Sequence, residues 1–437
     1  MKNNLFQIIV QKLNSNLEIK KIVANTGWLA VEKIAKIFVS LFVGVWVTRY
    51  LGAEQYGIYS YALSFAVLFK AFASFGIDSI VIRDLVKYKE KHALIMGTGF
   101  FLKVFGGLLS FALITVVLLL SSLDLSTKIY IWIITSSTTI YSIGIIDLYF
   151  QSEVKSRYIV KANTITVVLS SLLKIFFILI EAPLLAFVCI SLFEGLVMGI
   201  GYLYSYKKNA LSVWDWRFDF KLAKSMLKES WPLILSMLAI SVAMRIDQIM
   251  LKSYVSLEEL GYYAVGVRLA EAATFLPMVI GQSIYPKIIK TDFVNNKSSL
   301  KQMISNVFYP LSGISLIISL LGTFIIRVLY GETFLESGQI LSILIWTIPF
   351  IYFGIFSNNV LTVEGKQKII FVKQFSLTIL NICLNLYLIP IYGIVGAAWS
   401  TLIAELVVNT FMDGIFKKSR WLFILKLKSI LFIRNPQ

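Results

Sequence analysis

Apolar runs of about 20 residues recur along almost the whole chain, separated by short charged segments, and this succession leaves few folds open. A run of that length crosses about 30 Å of hydrocarbon as a helix. The composition agrees: 58% of residues are hydrophobic, 15% are charged, and the mean hydropathy is +0.79, far from the balance of soluble domains. Outer-membrane strands are about 10 residues long with alternating polarity, and no stretch reads that way. The pattern predicts an all-α integral membrane protein of about 12 transmembrane helices: 27–50, 56–78, 94–120, 129–150, 159–181, 183–206, 231–252, 262–286, 303–328, 338–362, 369–389 and 393–416. Residues 1–26 mix Lys2, Lys12, Lys20 and Lys21 with Leu and Ile, as suits a helix lying on the membrane surface. They are too polar for a cleaved signal peptide, so the first span is expected to serve as the insertion signal. The tail 417–437 is basic, and its stretch Trp421–Ile433 is too short to span, which predicts a second interfacial helix.

Loop charge sets the orientation. Lysine and arginine concentrate in alternate segments, at 2–21, 83–91, 155–161, 207–228, 287–301, 366–373 and 417–434, whereas the intervening loops hold Lys128, with Arg49, Lys252 and Arg327 at helix ends. By the positive-inside rule both termini are cytoplasmic. The net charge of +17 therefore reads as membrane topology and gives no argument for a nucleic-acid partner.

The chain also repeats itself. Glu54, Gly57 and Tyr59 recur 204 positions later as Glu258, Gly261 and Tyr263, each set between two apolar runs. A matched turn with matched flanks predicts a duplicated helical hairpin, with the glycine serving a turn or close approach and the tyrosine an interfacial anchor. The longest polar interval divides the chain, giving six-helix lobes at 27–206 and 231–416 joined by a cytoplasmic linker at 207–230. Each lobe holds an even number of spans, so a pseudo-two-fold axis along the membrane normal relates them, with the substrate path between.

No catalytic constellation emerges. There is no phosphate-cradling G-x-x-x-x-G-K-[ST], so the chain has no ATPase of its own. His92 is the only histidine, and Cys189 and Cys383 fall inside apolar helices, where they read as packing residues; neither a metal site nor a cofactor is expected. Charge inside the spans is the chemistry that remains, since burying it there is costly. Lys36, Lys70, Lys174, Arg245 and Arg268, with Arg49 at a helix end, are candidates for holding an anionic substrate. Lys33 and Lys103 lie closer to span ends, where lysines snorkel. Asp247, Glu194, Glu405 and Glu271 are candidate ion-coupling or structural carboxylates, with Glu194 and Glu405 at equivalent places in the two lobes. Helical spacing pairs Glu32 with Lys36 and Arg268 with Glu271, while Arg245 and Asp247, two apart, require partners on other helices.

The stretch Arg49-Tyr-Leu-Gly-Ala-Glu-Gln-Tyr-Gly-Ile-Tyr59, then Phe75-Gly-Ile-Asp78 and Arg83, resembles the start of bacterial polysaccharide exporters. These are Wzx-type flippases of the multidrug/oligosaccharidyl-lipid/polysaccharide superfamily, with a MATE-like fold. Arg245-Ile-Asp-Gln248, Gly261-Tyr-Tyr-Ala264 and Arg268-Leu-Ala-Glu271 resemble the second half of such proteins. The resemblance implies translocation of an undecaprenyl-pyrophosphate-linked oligosaccharide (O-antigen, capsule or a similar glycan) across the bacterial inner membrane. It implies membrane lipid, H+ or Na+, and a glycan polymerase complex as partners. Twelve spans set the chain apart from the fourteen of the lipid II flippase branch. The alternatives are a multidrug/cation antiporter of the related MATE family, disfavoured by the intramembrane cations, and a glycan polymerase or ligase, disfavoured by the lack of a large outer loop.

Overall fold

The computed structural model describes the backbone of residues 17–289 and 297–430, with side chains from residue 36 onward apart from 37 and 38. The interfacial segment expected at the N-terminus lies mostly outside this range, as do the side chains of Glu32 and Lys33. The described residues are helical, without a strand. The first unit of the fold comprises Met1–Val47 and Phe65–Met237; the second comprises Thr48–Ser64 and Leu238–Gln437. The chain enters as α1 (Leu17–Ser74), which is already helical ahead of residue 27 and breaks at Gly52, where φ is +69°.

The first unit continues through α2 (Asp78–Lys87), α3 (His92–Leu120), α4 (Leu125–Ile140), α5 (Ile145–Ser152), α6 (Arg157–Leu179) and α7 (Leu184–Lys208). Its core is the apolar face shared by Ile77, Val81, Met96, Ile145, Phe150 and Tyr206, all 0–1% exposed. The polar interval after α7 is pinned to this unit. Trp216 donates through Nε1 to Tyr206 Oη at 3.0 Å, and the Arg217 amide donates to the Ala93 carbonyl at 3.2 Å. The next helix, α8 (Phe220–Leu251), starts inside the expected linker and carries Pro232 within it.

The second unit then follows as α9 (Leu257–Ala273), α10 (Phe275–Ile289), α11 (Lys297–Tyr330), α12 (Ser337–Leu344), α13 (Thr347–Val363), α14 (Gln367–Leu406), α15 (Met412–Ile415) and α16 (Arg420–Ile430). Ser256 opens α9 with a capping box, its hydroxyl accepting the Glu259 amide while the Glu259 carboxylate accepts the Ser256 amide. α12 and α13 form the centre of the unit, with 72% of their most apolar window buried, against 11% for α8.

Among the described residues, ten stretches are long and apolar enough to cross a membrane. Two of them, Val39–Lys87 and Gln367–Ile415, run for 49 residues, more than twice the roughly 20 that one crossing needs. Each breaks at a glycine with positive φ, Gly52 or Gly393 (+53°), and so holds two passes. Eleven of the twelve expected spans fall within these stretches to within two residues, and the remaining one, 27–50, begins ahead of Val39 in the helical backbone of α1. Outward-facing Leu120, Leu179 and Leu320 are 85%, 76% and 77% exposed, the surface that lipid covers.

The tail helix expected after residue 417 is present as α16 and packs on the second unit: Leu422, Leu425, Lys426 and Ser429 are buried, and Tyr309 Oη donates to the Ser429 and Ile430 carbonyls at 2.7 and 3.0 Å. Two expectations are corrected. Cys189 and Cys383 are free thiols, but both face outward rather than into a core. Lys103 does not snorkel; it is 8% exposed and pairs with Asp78 at 2.7 Å.

Candidate functional site

The two copies of the repeated hairpin motif meet within the second unit. A Cβ at Gly57 would stand 1.9 Å from the Leu257 carbonyl, and one at Gly261 would stand 2.0 Å from that of Ala53, so only glycine allows this helix crossing. The motif tyrosine of the second copy is not an interfacial anchor. Tyr263 is fully buried and donates to Asp247, so the motif carries chemistry as well as packing.

The same unit holds a cavity of about 340 Å³ lined by Asp247, Tyr263, Glu271, Thr347, Thr401 and Glu405 among apolar side chains. Its carboxylates differ in their partners. Glu271 is held by Arg245 through a two-pronged contact, Nη1–Oε1 at 2.9 Å and Nη2–Oε2 at 3.1 Å. The geometry is that of an Arg–carboxylate fork. Asp247, 6% exposed, accepts Tyr263 and the Gln248 amide. Gln248 in turn accepts the hydroxyls of Ser60 and Ser64 at 3.0 and 2.8 Å. Glu405 accepts the Asn409 amide and has no cation partner among the described residues. Thr401 accepts Asn381 at 3.2 Å, extending the polar wall to Asn385. As their spacing requires, Arg245 and Asp247 reach different partners, both on α9. The expected Arg268–Glu271 pair is replaced: Glu271 takes Arg245, and Arg268 donates to Tyr56 Oη at 3.3 Å.

The remaining candidates are spread over both units. In the first, Lys174 is bound to Glu194 at 2.9 Å, Lys36 is exposed, and Lys70 is exposed with no ion pair among the described residues. In the second, Arg49 is exposed and donates to the Val328 carbonyl at 2.9 Å. No group of three or more His, Cys, Asp or Glu able to hold a metal occurs among the described residues.

One cluster was not anticipated from the sequence. Asp413, fully buried, accepts Lys373 at 2.8 Å, Lys426 at 2.6 Å and Ser357 Oγ at 2.6 Å. Desolvation by burial, reinforced by Lys373, pulls the Lys426 ammonium down to about 7 against the opposing pull of Asp413. An aspartate inside the twelfth apolar run was the available signal, but its two lysines sit 40 and 13 positions away.

Residues 22–292 match the family described as polysaccharide biosynthesis protein. A Shigella dysenteriae protein named "Putative O-antigen transporter" is 27% identical over 285 residues, covering 64% of this chain and 71% of the relative. Among solved structures, the lipid II flippase MurJ in an inward closed conformation superposes with a TM-score of 0.73 at 16% identity, covering 94% of this chain and 91% of MurJ. An inward-facing multidrug resistance MATE family transporter superposes with a TM-score of 0.68 at 14% identity, covering 93% and 98%. At these identities the structural likeness speaks for the fold, which is MATE-like. The chain is a multi-pass membrane protein with a MATE-like fold that belongs to the polysaccharide biosynthesis protein family.

Proposed function

We propose that the chain is a flippase that carries an undecaprenyl-pyrophosphate-linked oligosaccharide repeat unit from the cytoplasmic to the outer leaflet of the bacterial inner membrane. The observation that carries this reading is the match of residues 22–292 to the polysaccharide biosynthesis family. The asymmetry of loop charge supports cytoplasmic termini. In this reading Lys36, Lys70, Arg49 and Arg268 supply charge to the pyrophosphate. Lys174 and Arg245 join them when the anion displaces Glu194 and Glu271, their present partners. The sugar head crosses by alternating access while the polyprenyl tail stays in lipid. Asp247 and Glu405 take up the coupling ion, H+ or Na+, from the acidic cavity, and its release resets the carrier.

The test is complementation of cells that lack their own exporter but make the lipid-linked unit. The wild-type chain should restore surface glycan, and Arg268→Ala or Arg245→Ala should abolish it at unchanged protein level. Normal glycan in both variants removes their proposed role, and no restoration by the wild type across O-antigen and capsule hosts removes the function. The carboxylate-lined cavity also favours a second reading, drug/cation antiport. Export of an organic cation such as ethidium, with no effect on glycan, would select it.

A further inference from the structure

The tail helix α16 reaches the acidic cavity through an irregular piece of helix. α14 ends at Leu406, and Val407–Phe411 is wound as a π turn before α15 resumes. A π turn places an extra residue in the helical ladder, so a carbonyl there falls out of register with the amide four residues on, and such turns concentrate at functional positions. The Asn409 carbonyl accepts the Lys426 ammonium at 2.5 Å. The side chain of the same Asn409 donates to Glu405 Oε2. It fits because residue 354 is glycine: a Cβ there would stand 2.4 Å from Asn409 Oδ1. Fully buried Lys426 is thus joined to a cavity carboxylate through two contacts on one residue.

Charge balance does not explain Lys426. Lys373 already neutralises Asp413 at 2.8 Å, and a second ammonium leaves the buried cluster with more cations than carboxylates, which is costly. The Asn409 carbonyl does explain its position. We propose that Lys426 is a positioning residue for Glu405: by holding the Asn409 backbone in the π turn, it keeps the Asn409 amide on the carboxylate and ties the docked tail to the cavity. The proposal rests on the reading of Glu405 as an ion-coupling group. Glu405 shares its cavity with Asp247, Glu271 and Tyr263; Lys426 faces Asp413, Lys373 and the Phe353 ring, 5.7 Å away.

The experiment uses the full-length protein in phosphatidylethanolamine–phosphatidylglycerol vesicles. Infrared difference spectra follow titration of the Glu405 carboxyl band, identified by its loss in Glu405→Gln. Lys426→Met should displace the half-titration point by about one pH unit, a tenfold change in proton concentration. Asn409→Ala should produce the same displacement with the tail's own packing untouched, and the double variant should move no further than either single one. Lys373→Met removes a cation from Asp413 without touching the carbonyl and should leave the band in place. A band unmoved in Lys426→Met or in Asn409→Ala overturns the proposal, as does a band moved equally by Lys373→Met, which makes Lys426 an anchor of the helix alone. Transport in the same vesicles separates the two readings. A displaced band with transport indifferent to pH and sodium keeps the positioning role and removes coupling from Glu405.

Discussion

Glu194 and Glu405 stand at matching places in the two halves of the sequence, yet the structure surrounds them differently. Glu194 is bound by Lys174 at 2.9 Å within its own unit. Glu405 has an amide neighbour, Asn409, and shares a cavity with Asp247 and Glu271, where Arg245 already pairs with Glu271. A third carboxylate, Asp413, has two ammonium partners. A carboxylate with one cation is stabilised in place, and one with none inside a membrane helix is free to take up an ion. Matching places in the sequence therefore carry different ion partners, and on the proposed function it is the carboxylate without a cation that couples.

The largest effect should come from the most heavily paired group. Asp413→Asn leaves Lys373 and Lys426 buried together without a counter-charge, which should cost about 3–5 kcal/mol, read as loss of thermal stability in detergent. An unchanged melting temperature would remove Asp413 from this ranking. Glu405→Gln should fold normally but make flipping insensitive to the coupling ion, measured in vesicles across pH and sodium gradients. The same insensitivity in Glu194→Gln alone would reverse the comparison.

The membrane architecture was legible because the length of an apolar run is a local property. Gly52 and Gly393 sit between the runs 27–50 and 56–78 and at the junction of 369–389 and 393–416, where turns were expected. The site was legible only in part. Arg245, Asp247, Glu271 and Glu405 were identifiable as charge inside spans, but which carboxylate meets which cation depends on helix rotation and crossing, which periodicity does not encode. The tail shows why: Trp421–Ile433 alternates lysine with apolar residues, a pattern that suits a lipid surface and a protein groove equally. Asp413, the carboxylate that Lys426 meets, is contributed by another helix.

A smaller effect separates the paired carboxylates. Glu194→Gln leaves Lys174 without its partner in a half-buried setting, which should cost about 1–3 kcal/mol, and Lys174→Met in the same chain should recover much of it. Failure of the double variant to recover would mean that Glu194 does more than neutralise Lys174.

The smallest difference tests contact geometry at constant charge. Lys174 meets Glu194 through one ammonium contact, whereas Arg245 meets Glu271 through two parallel N–H···O contacts at 2.9 and 3.1 Å. A guanidinium can reproduce a single contact, but an ammonium cannot reproduce a fork. Lys174→Arg should therefore leave flipping within about twofold of wild type, while Arg245→Lys should lose about tenfold, the equivalent of one charge-assisted hydrogen bond. Initial rates in vesicles under a fixed ion gradient measure both. Equal tolerance at the two positions would mean that Arg245 acts as a charge alone, and the distinction between the two units would then rest on Glu405.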